Sequence, residues 1–127
     1  SPDAGGYAGV ALRFIELIES GKTGSMILCA PNQGAIPGLE DDDIVEITCD
    51  ISREGAKPHK VENADPRALE LIRRVKSYER LAAKAIVHRD RQAAIDCLML
   101  HPLVNSYSLA VKLADAYFEL NAPFLGA

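Results

Sequence analysis

The sequence predicts an α+β fold, in which a small mixed or antiparallel sheet with a hairpin packs against several helices. Residues 45–51 alternate the apolar set Val45, Ile47, Cys49 and Ile51 with the polar residues at 46, 48 and 50, and Ile44 precedes them on the polar side. This period of two indicates a strand with one face in the core. The second half of the chain instead repeats apolar residues at helical spacing, between clear start and stop signals. Strands in one half and helices in the other are typical of α+β domains.

The first half is expected to form one helix followed by three strands. Residues 8–19 carry apolar side chains at helical spacing, and the glycines of residues 20–24 suit the turn that ends the helix. Residues 25–30 are short, apolar and followed by proline, which predicts a buried strand. Residues 57–61 are expected to return as a short edge strand, because Pro58 cannot donate to a central ladder.

Three further helices are expected in the second half. The first begins at Asp65-Pro66, where the carboxylate can accept amide hydrogen bonds and the missing amide hydrogen of proline costs nothing. The expected limits are Pro66 to about Val87, an Asp90 cap to Leu100, and an Asn105 or Ser106 cap to Leu120.

Composition excludes several classes of function. The 127 residues carry a net charge of −4 and no basic stripe, so a nucleic-acid partner is not expected. No apolar run approaches the roughly 20 residues that a membrane span needs. Cys29, Cys49 and Cys97 lack C-x-x-C spacing and are expected to be free, buried thiols of a cytoplasmic protein. The chain begins without Met, as expected of a piece of a longer protein.

No complete catalytic or metal-binding set stands out from the residue types alone. The three histidines, His59, His88 and His101, have no second ligand at helical or strand spacing, which favours structural or surface roles. The acidic triplet 41–43 could hold a hard cation, but a solvated turn is the alternative, because the spaced Asp pattern of calcium loops is missing. Phosphate-binding glycine motifs and a nucleophilic triad are also missing.

Two blocks of sequence carry a family resemblance. Residues 29–61, CAPNQGAIPGLEDDDIVEITCDISREGAKPHKV, resemble the signature block of the family 4 glycoside hydrolases, the NAD-dependent 6-phospho-glycosidases. Residues 75–104, VKSYERLAAKAIVHRDRQAAIDCLMLHPLV, resemble a second block of the same family, in the same order. The resemblance spans nearly the whole chain and leans toward the 6-phospho-beta-glucosidases, with the α-galactosidase and 6-phospho-α-glucosidase branches left open.

The resemblance implies that residues 1–127 are the C-terminal domain of such an enzyme, similar to a lactate dehydrogenase C-terminal domain. It also implies that the NAD-binding Rossmann domain is absent from this chain. NAD and a divalent metal, usually Mn²⁺, would then be bound mainly outside it, with no metal ligand here. The implied substrate is a phosphorylated disaccharide, and the implied assembly is a homo-oligomer.

The implied reaction gives one residue a catalytic role. In the family, NAD oxidises the sugar at C3, a tyrosine removes the acidified C2 proton, and the aglycone leaves by elimination. Tyr7 falls at the position of this base, within AGGYAG, although the spacer residues of the family motif are missing and Ala8 replaces its serine. The alternative is an ordinary tyrosine at a fraying N-terminus.

The resemblance implies a binding role for the loop at Asn32. In the family this loop lies beside the substrate and cofactor cleft, so Asn32 is expected to contact sugar or cofactor; its side chain could instead close an Asx-turn. The implied function is that of a portion of a glycosidase that is inactive alone. Two alternatives remain: a stand-alone binding or assembly module, and a related dehydrogenase C-terminal domain acting on a hydroxy acid.

Overall fold

The computed structural model describes residues 6–125. It contains two compact units, with the boundary between Asn63 and Ala64. The first unit holds α1 (Tyr7–Ser20), β1 (Gly24–Pro31), β2 (Ile44–Ser52) and β3 (Gly55–Pro58). The second holds α2 (Pro66–His88), α3 (Arg91–Leu100) and α4 (Tyr107–Leu125). The α+β class is therefore confirmed, while the interpretation of the first five residues lies outside the described part of the chain.

The sheet is antiparallel throughout, with the strand order β1-β2-β3. The β1–β2 register runs from Gly24 opposite Ile51 to Pro31 opposite Ile44. The third strand begins and ends earlier than the predicted range 57–61, because the hairpin turn closes directly at Gly55, whose φ is +110°. Pro58 does lie on an edge strand, as predicted.

One face of the sheet forms the core of the first unit. The predicted inward set on β2 is buried, namely Val45, Ile47, Cys49 and Ile51. Helix α1 contacts β2 and has one fully buried side chain, Leu17. Gly24 makes room for it, since a Cβ at Gly24 would lie 2.7 Å from Leu17 Cδ1. Glycine at the start of β1 therefore allows α1 to approach the sheet.

Residues 25–30 form a strand as predicted, but the prediction that this strand is buried is wrong. The strand forms, but only Ala30 is buried, and Ile27 is 65% exposed. Only one face of the sheet forms the core, so the side chains of β1 alternate between that face and an open face. Cys29 falls on the open face and is exposed, against the expectation of three buried thiols. Such a run resembles a central strand in sequence, because alternation is invisible when both faces are apolar.

The other two cysteines are buried as predicted. Burial raises the pKa of the Cys49 thiol, and the nearby Asp50 carboxylate adds to the effect. Burial is also the main cause of the raised pKa of the Cys97 thiol. Both groups therefore favour the unreactive thiol form.

The helix starts in the second unit are set by side-chain caps at the predicted positions. Asp65 accepts from the Arg67 amide at 2.7 Å, and Asp90 accepts from the Ala93 amide at 3.0 Å. Ser106, one of the two predicted caps for α4, accepts from the Leu109 amide at 3.2 Å.

Helix α4 is longer than predicted, since it passes Leu120 and continues through Pro123 to Leu125. Proline has a φ close to the helical value, so here it removes one backbone hydrogen bond without ending the helix.

The helical unit has a separate small core. Its buried members are Ile95, Cys97, Leu98, Val104, Ala110 and Ala114. The ring of Tyr78 packs edge-to-face on His101, with centroids 4.7 Å apart. Arg74 Nε donates to the Leu100 carbonyl at 2.8 Å, which satisfies a carbonyl at the end of α3. None of the helices in the described range is both long and apolar enough to cross a membrane.

The single buried anchor of α1 gives a stability prediction. Leu17→Ala should lower the free energy of unfolding by about 2–5 kcal/mol, because it leaves a cavity between the helix and the sheet. Leu12→Ala on the same helix is the matched control, since Leu12 is 61% exposed and should change stability little. Urea denaturation compares the two variants, and equal effects would contradict the packing of α1 through Leu17.

The three cysteines should differ in reactivity. In the native chain we expect Ellman's reagent to modify Cys29 rapidly and to leave the two buried thiols, whose pKa values are raised, largely unmodified. Cys29→Ser should abolish the rapid phase, and unfolding in urea should expose the remaining thiols. Rapid native-state modification of Cys29→Ser would contradict the burial described for Cys49 and Cys97.

Candidate functional site

The connection between β1 and β2, residues 32–43, is here called the β1–β2 loop. It opens with a tight turn in which the Ala35 amide donates to the Asn32 carbonyl at 2.8 Å. The two central residues, Gln33 and Gly34, have φ values of +47° and +75°. Positive φ at both central positions is the mark of a type I′ turn, which matches the twist of antiparallel strands. The loop therefore reverses direction directly after the end of β1.

The side chain of Asn32 is fully buried and holds the loop from inside. Its Oδ1 accepts from the Ile36 amide at 2.7 Å. Its Nδ2 donates to the Ile36 carbonyl at 3.2 Å and to the Leu39 carbonyl at 3.4 Å. A buried carboxamide needs partners for both its atoms, and here the loop backbone provides them. The contacts span four and seven residues, so they close a larger ring than the Asx-turn considered from the sequence.

The acidic triplet divides into two exposed residues and one buried residue. Asp41 and Asp42 face solvent, in agreement with the solvated-turn interpretation. Asp43 is 5% exposed, and its Oδ2 accepts from the Glu40 amide at 3.0 Å. Within residues 6–125, no group of three His, Cys, Asp or Glu side chains is placed to hold a metal ion. Of the triplet, Asp43 therefore helps to close the loop, while Asp41 and Asp42 stay on its surface.

Backbone hydrogen bonds fix the loop on two further sides. The Asn32 amide donates to the Asp43 carbonyl at 2.8 Å, which joins the two ends of the loop. The Val61 amide donates to the Ala35 carbonyl at 2.9 Å, which ties the loop to the segment after β3. The exposed residues of the loop are Gln33-Gly34, Pro37-Gly38 and the acidic segment 40–42. Any ligand would meet these residues before it met Asn32.

Tyr7 is the first residue of α1 and is 95% exposed. Gly6, which precedes it, has a φ of +79°, and no side chain caps this end of the helix. Among the described residues, no hydrogen bond or ion pair involves the Tyr7 side chain, and none joins it to Asn32. The hydroxyl is accessible to a ligand, while the carboxamide of Asn32 is engaged within its own loop.

His59 and His101 each make a hydrogen bond that depends on the local fold. His59 Nε2 lies 2.7 Å from Asp50 Oδ1 on the surface of the β2–β3 hairpin. The hairpin register places these two residues diagonally across the ladder. The pair could therefore have been predicted from the sequence if the position of the β2–β3 turn had been known. His101 Nδ1 accepts from the Leu103 amide at 3.2 Å, which gives this residue of the second block a structural role, as predicted.

A cleft of about 430 Å³ lies among α2, α3 and α4. Its lining is mainly apolar and includes Tyr78, Ala85, Ile86, Ala114, Tyr117 and Phe118. Burial raises the pKa of the Tyr78 hydroxyl, with smaller contributions from Cys97, Tyr117 and Glu79. A raised pKa makes Tyr78 a poor candidate for a tyrosine base. Sequence reasoning missed this cleft, because it depends on how three helices pack.

The carboxamide of Asn32 gives a prediction for the loop. Asn32→Leu keeps a similar volume but leaves the Ile36 amide and two carbonyls without their partner, at a cost of about 1–3 kcal/mol for each buried unsatisfied group. Gln33→Ala is the control, because Gln33 is exposed in the same turn. Urea denaturation and amide exchange at Ile36 measure both variants. An unchanged exchange rate at Ile36 in Asn32→Leu would contradict the assigned hydrogen bonds.

Comparison with known proteins places the chain in a family. Residues 2–104 match the model of the family 4 glycosyl hydrolase C-terminal domain. A Bacillus subtilis (strain 168) protein named "Probable 6-phospho-beta-glucosidase" is 32% identical over 119 residues, which are 94% of this chain and 27% of that protein. The 6-phospho-beta-glucosidase BglT of Thermotoga maritima is 29% identical over 119 residues, which are 29% of its length. The chain thus spans less than a third of either relative.

Solved structures share the fold. The 6-phospho-beta glucosidase from Thermotoga maritima, solved with NAD and glucose-6-phosphate, gives a TM-score of 0.83 at 29% identity. The match covers 95% of this chain and 29% of that one. A 6-phospho-alpha-glucosidase from gut microorganisms, solved with NAD and Mn²⁺, gives 0.80 at 27% identity and covers 92% of this chain and 27% of that one. With residues 2–104 matched by the family model, this chain belongs to the family 4 glycosyl hydrolase C-terminal domains.

Proposed function

We propose that this chain is the C-terminal part of a 6-phospho-beta-glucosidase that hydrolyses O-glycosyl bonds, and that it is inactive alone. The observation that carries the proposal is the family match over residues 2–104, together with relatives of that name that extend well beyond the matched region. The substrate class that follows is a phosphorylated disaccharide.

NAD and a divalent metal bind, in this proposal, to the part of the full-length protein that carries the nucleotide-binding domain. The described residues of this chain do not fit a metal ion, because they bring together no group of three His, Cys, Asp or Glu side chains. Nor does the chain contain the glycine-rich strand-turn-helix motif that holds a dinucleotide. The support for both groups is that solved relatives contain NAD, and one of them Mn²⁺.

Tyr7 is the proposed base that removes the proton from C2 of the sugar. Its support is its place at the start of α1, where the hydroxyl is exposed and makes no hydrogen bond with another described residue. A base must reach the carbon-bound proton directly, which a hydroxyl engaged elsewhere could not do. The rest of the catalytic centre would have to come from outside this chain.

Asn32 acts in this proposal at the edge of the sugar and cofactor cleft. Because its carboxamide is bonded to Ile36 and Leu39, its main effect would be to hold the exposed backbone of Gln33-Gly34 in place. A direct contact between Asn32 and the sugar would require one of these hydrogen bonds to be exchanged. The rigid type I′ turn would present its backbone groups at low entropic cost.

The proposal includes a cytoplasmic homo-oligomer. Its support for the cytoplasm is that the three cysteines are free, which suits a reducing compartment. An assembly would also cover some of the exposed apolar side chains described above.

A stand-alone binding or assembly module is the second candidate. It is favoured by the missing spacer between the glycine pair and Tyr7 and by Ala8 in place of the family's serine. A degraded base motif is expected in a chain that keeps the fold and has lost the chemistry.

The role of Tyr7 gives an enzymatic prediction. In the full-length protein supplied with NAD, Mn²⁺ and a 6-phospho-beta-glucoside, Tyr7→Phe should lower kcat by about 10²–10⁴-fold, because it removes a proton-transfer group. KM should change little, since phenylalanine keeps the aromatic ring and loses only the hydroxyl. Steady-state kinetics with a chromogenic substrate measure both constants.

Tyr107→Phe is the matched control, because Tyr107 is also the first residue of a helix and is 56% exposed. It should leave kcat unchanged. Activity of Tyr7→Phe equal to that of the control would exclude Tyr7 as the base. Inactivity of the full-length protein with every 6-phospho-glucoside would instead favour the binding module.

A further inference from the structure

Helix α1 meets the sheet at a contact between Leu17 and Gly24. Within Tyr7–Ser20, Leu17 is the only fully buried side chain, with 1% of its surface exposed. Gly24 begins β1 opposite Ile51, which is also fully buried. A Cβ on Gly24 would lie 2.7 Å from Leu17 Cδ1 and 2.8 Å from Leu17 Cδ2. Carbon atoms in contact lie about 3.5–4.0 Å apart, so any side chain at residue 24 would displace Leu17.

Glycine is needed at residue 24 for space and not for its backbone conformation. Positive φ values occur at other glycines of the described chain, but not at Gly24. Alanine can therefore adopt the same backbone, and its methyl group would change only the contact with α1. Because Leu17 is enclosed in a close-packed core, its two methyl groups have no free volume into which to turn. The relief that remains is a shift of α1 away from the sheet.

A second contact acts on the same half of α1. Arg53 Nη2, from the β2–β3 turn, donates to the Glu19 carbonyl at 3.4 Å. The helix ends directly after this point at Gly21, whose φ is +67°. Both contacts hold the C-terminal half of α1 against the sheet, whereas Tyr7 is the first residue of the helix.

A small movement at Leu17 becomes a larger one at Tyr7. A helix moves largely as a unit, because each turn is hydrogen-bonded to the next, and the ten residues between the two positions span about 15 Å along its axis. A tilt of about 4° at Leu17 therefore moves the start of the helix by about 1 Å. A misplacement of this size in a reacting group can cost about a hundredfold in rate.

We propose that Gly24 is a positioning residue for Tyr7. By lacking a side chain, it sets how deeply Leu17 enters the core, and thereby where the Tyr7 hydroxyl lies relative to the sheet and the β1–β2 loop. This inference deepens the proposed function and rests on the role of Tyr7 as the base. Gly24 acts only through α1 and has no contact with the reacting atoms in this account.

Steady-state kinetics of the full-length protein with NAD, Mn²⁺ and a 6-phospho-beta-glucoside test the inference. Gly24→Ala should lower kcat by about 10–10²-fold and change KM little, because it displaces the base and leaves the β1–β2 loop in place. Ser25→Ala is the matched control at the next, exposed residue and should leave kcat unchanged. Adding Leu17→Val to Gly24→Ala should restore most of kcat, since valine lacks both Cδ atoms that the new methyl group would meet.

A double-mutant cycle separates positioning of Tyr7 from general damage to the fold. In Tyr7→Phe the base is already lost, so adding Gly24→Ala should lower kcat by no more than about twofold. The same loss in both backgrounds, or a Gly24→Ala variant as active as Ser25→Ala, would overturn the inference and leave Tyr7 as the base. Full activity of Tyr7→Phe would overturn the base and the inference together.

Leu17→Val alone provides the test if Gly24→Ala does not fold. It alters the same contact by removing atoms, so no clash arises, and it should cause a smaller loss of kcat that also disappears in Tyr7→Phe. An unchanged kcat in Leu17→Val, or an equal loss in both backgrounds, would overturn the inference.

Discussion

The buried carboxamide of Asn32 satisfies three backbone groups within the β1–β2 loop, and the long hairpin depends on it. A twelve-residue connection has many backbone amides and carbonyls that cannot be buried without partners. Asn32 supplies partners to Ile36 and Leu39, while the backbone joins Asn32 to Asp43 across the neck of the loop. The β1–β2 register follows from this closure, and with it the buried face of β2 against which α1 packs.

Much of the fold was predictable because local signals agree with the tertiary structure. The alternation along residues 44–51 gave both the strand and its buried face. The Asp65 and Asp90 caps act within three residues of their own position, so sequence alone locates the helix starts. The glycines and prolines around Gly34 predicted a constrained loop. They did not predict that the side chain of Asn32 holds it.

The remaining features depend on contacts between distant residues. Cys29 is exposed because it lies on the open face of the sheet, and which face is covered depends on tertiary packing. The pairing of His59 with Asp50 required the hairpin register, and the helical cleft required the packing of three helices. In the candidate site, the family motif identifies Asn32 from the sequence. The inward orientation of its side chain could not be predicted, because the same local sequence suits a buried or an exposed asparagine.

The functional proposal rests on the family to which the chain belongs and on its length, since the chain covers only 27% of its Bacillus subtilis relative. In that proposal, the β1–β2 loop and the start of α1 are the parts of this chain that face the ligand. Such an arrangement suits one part of a shared catalytic centre.

The most direct test of the central claim is the intact mass of the native gene product, isolated from its own cells. If this chain is the C-terminal part of a glycosidase, the native product should be several times heavier, as its relatives are. A native product of the mass of this chain, with no separate subunit copurifying to supply the NAD-binding part, would contradict that claim and identify a stand-alone module.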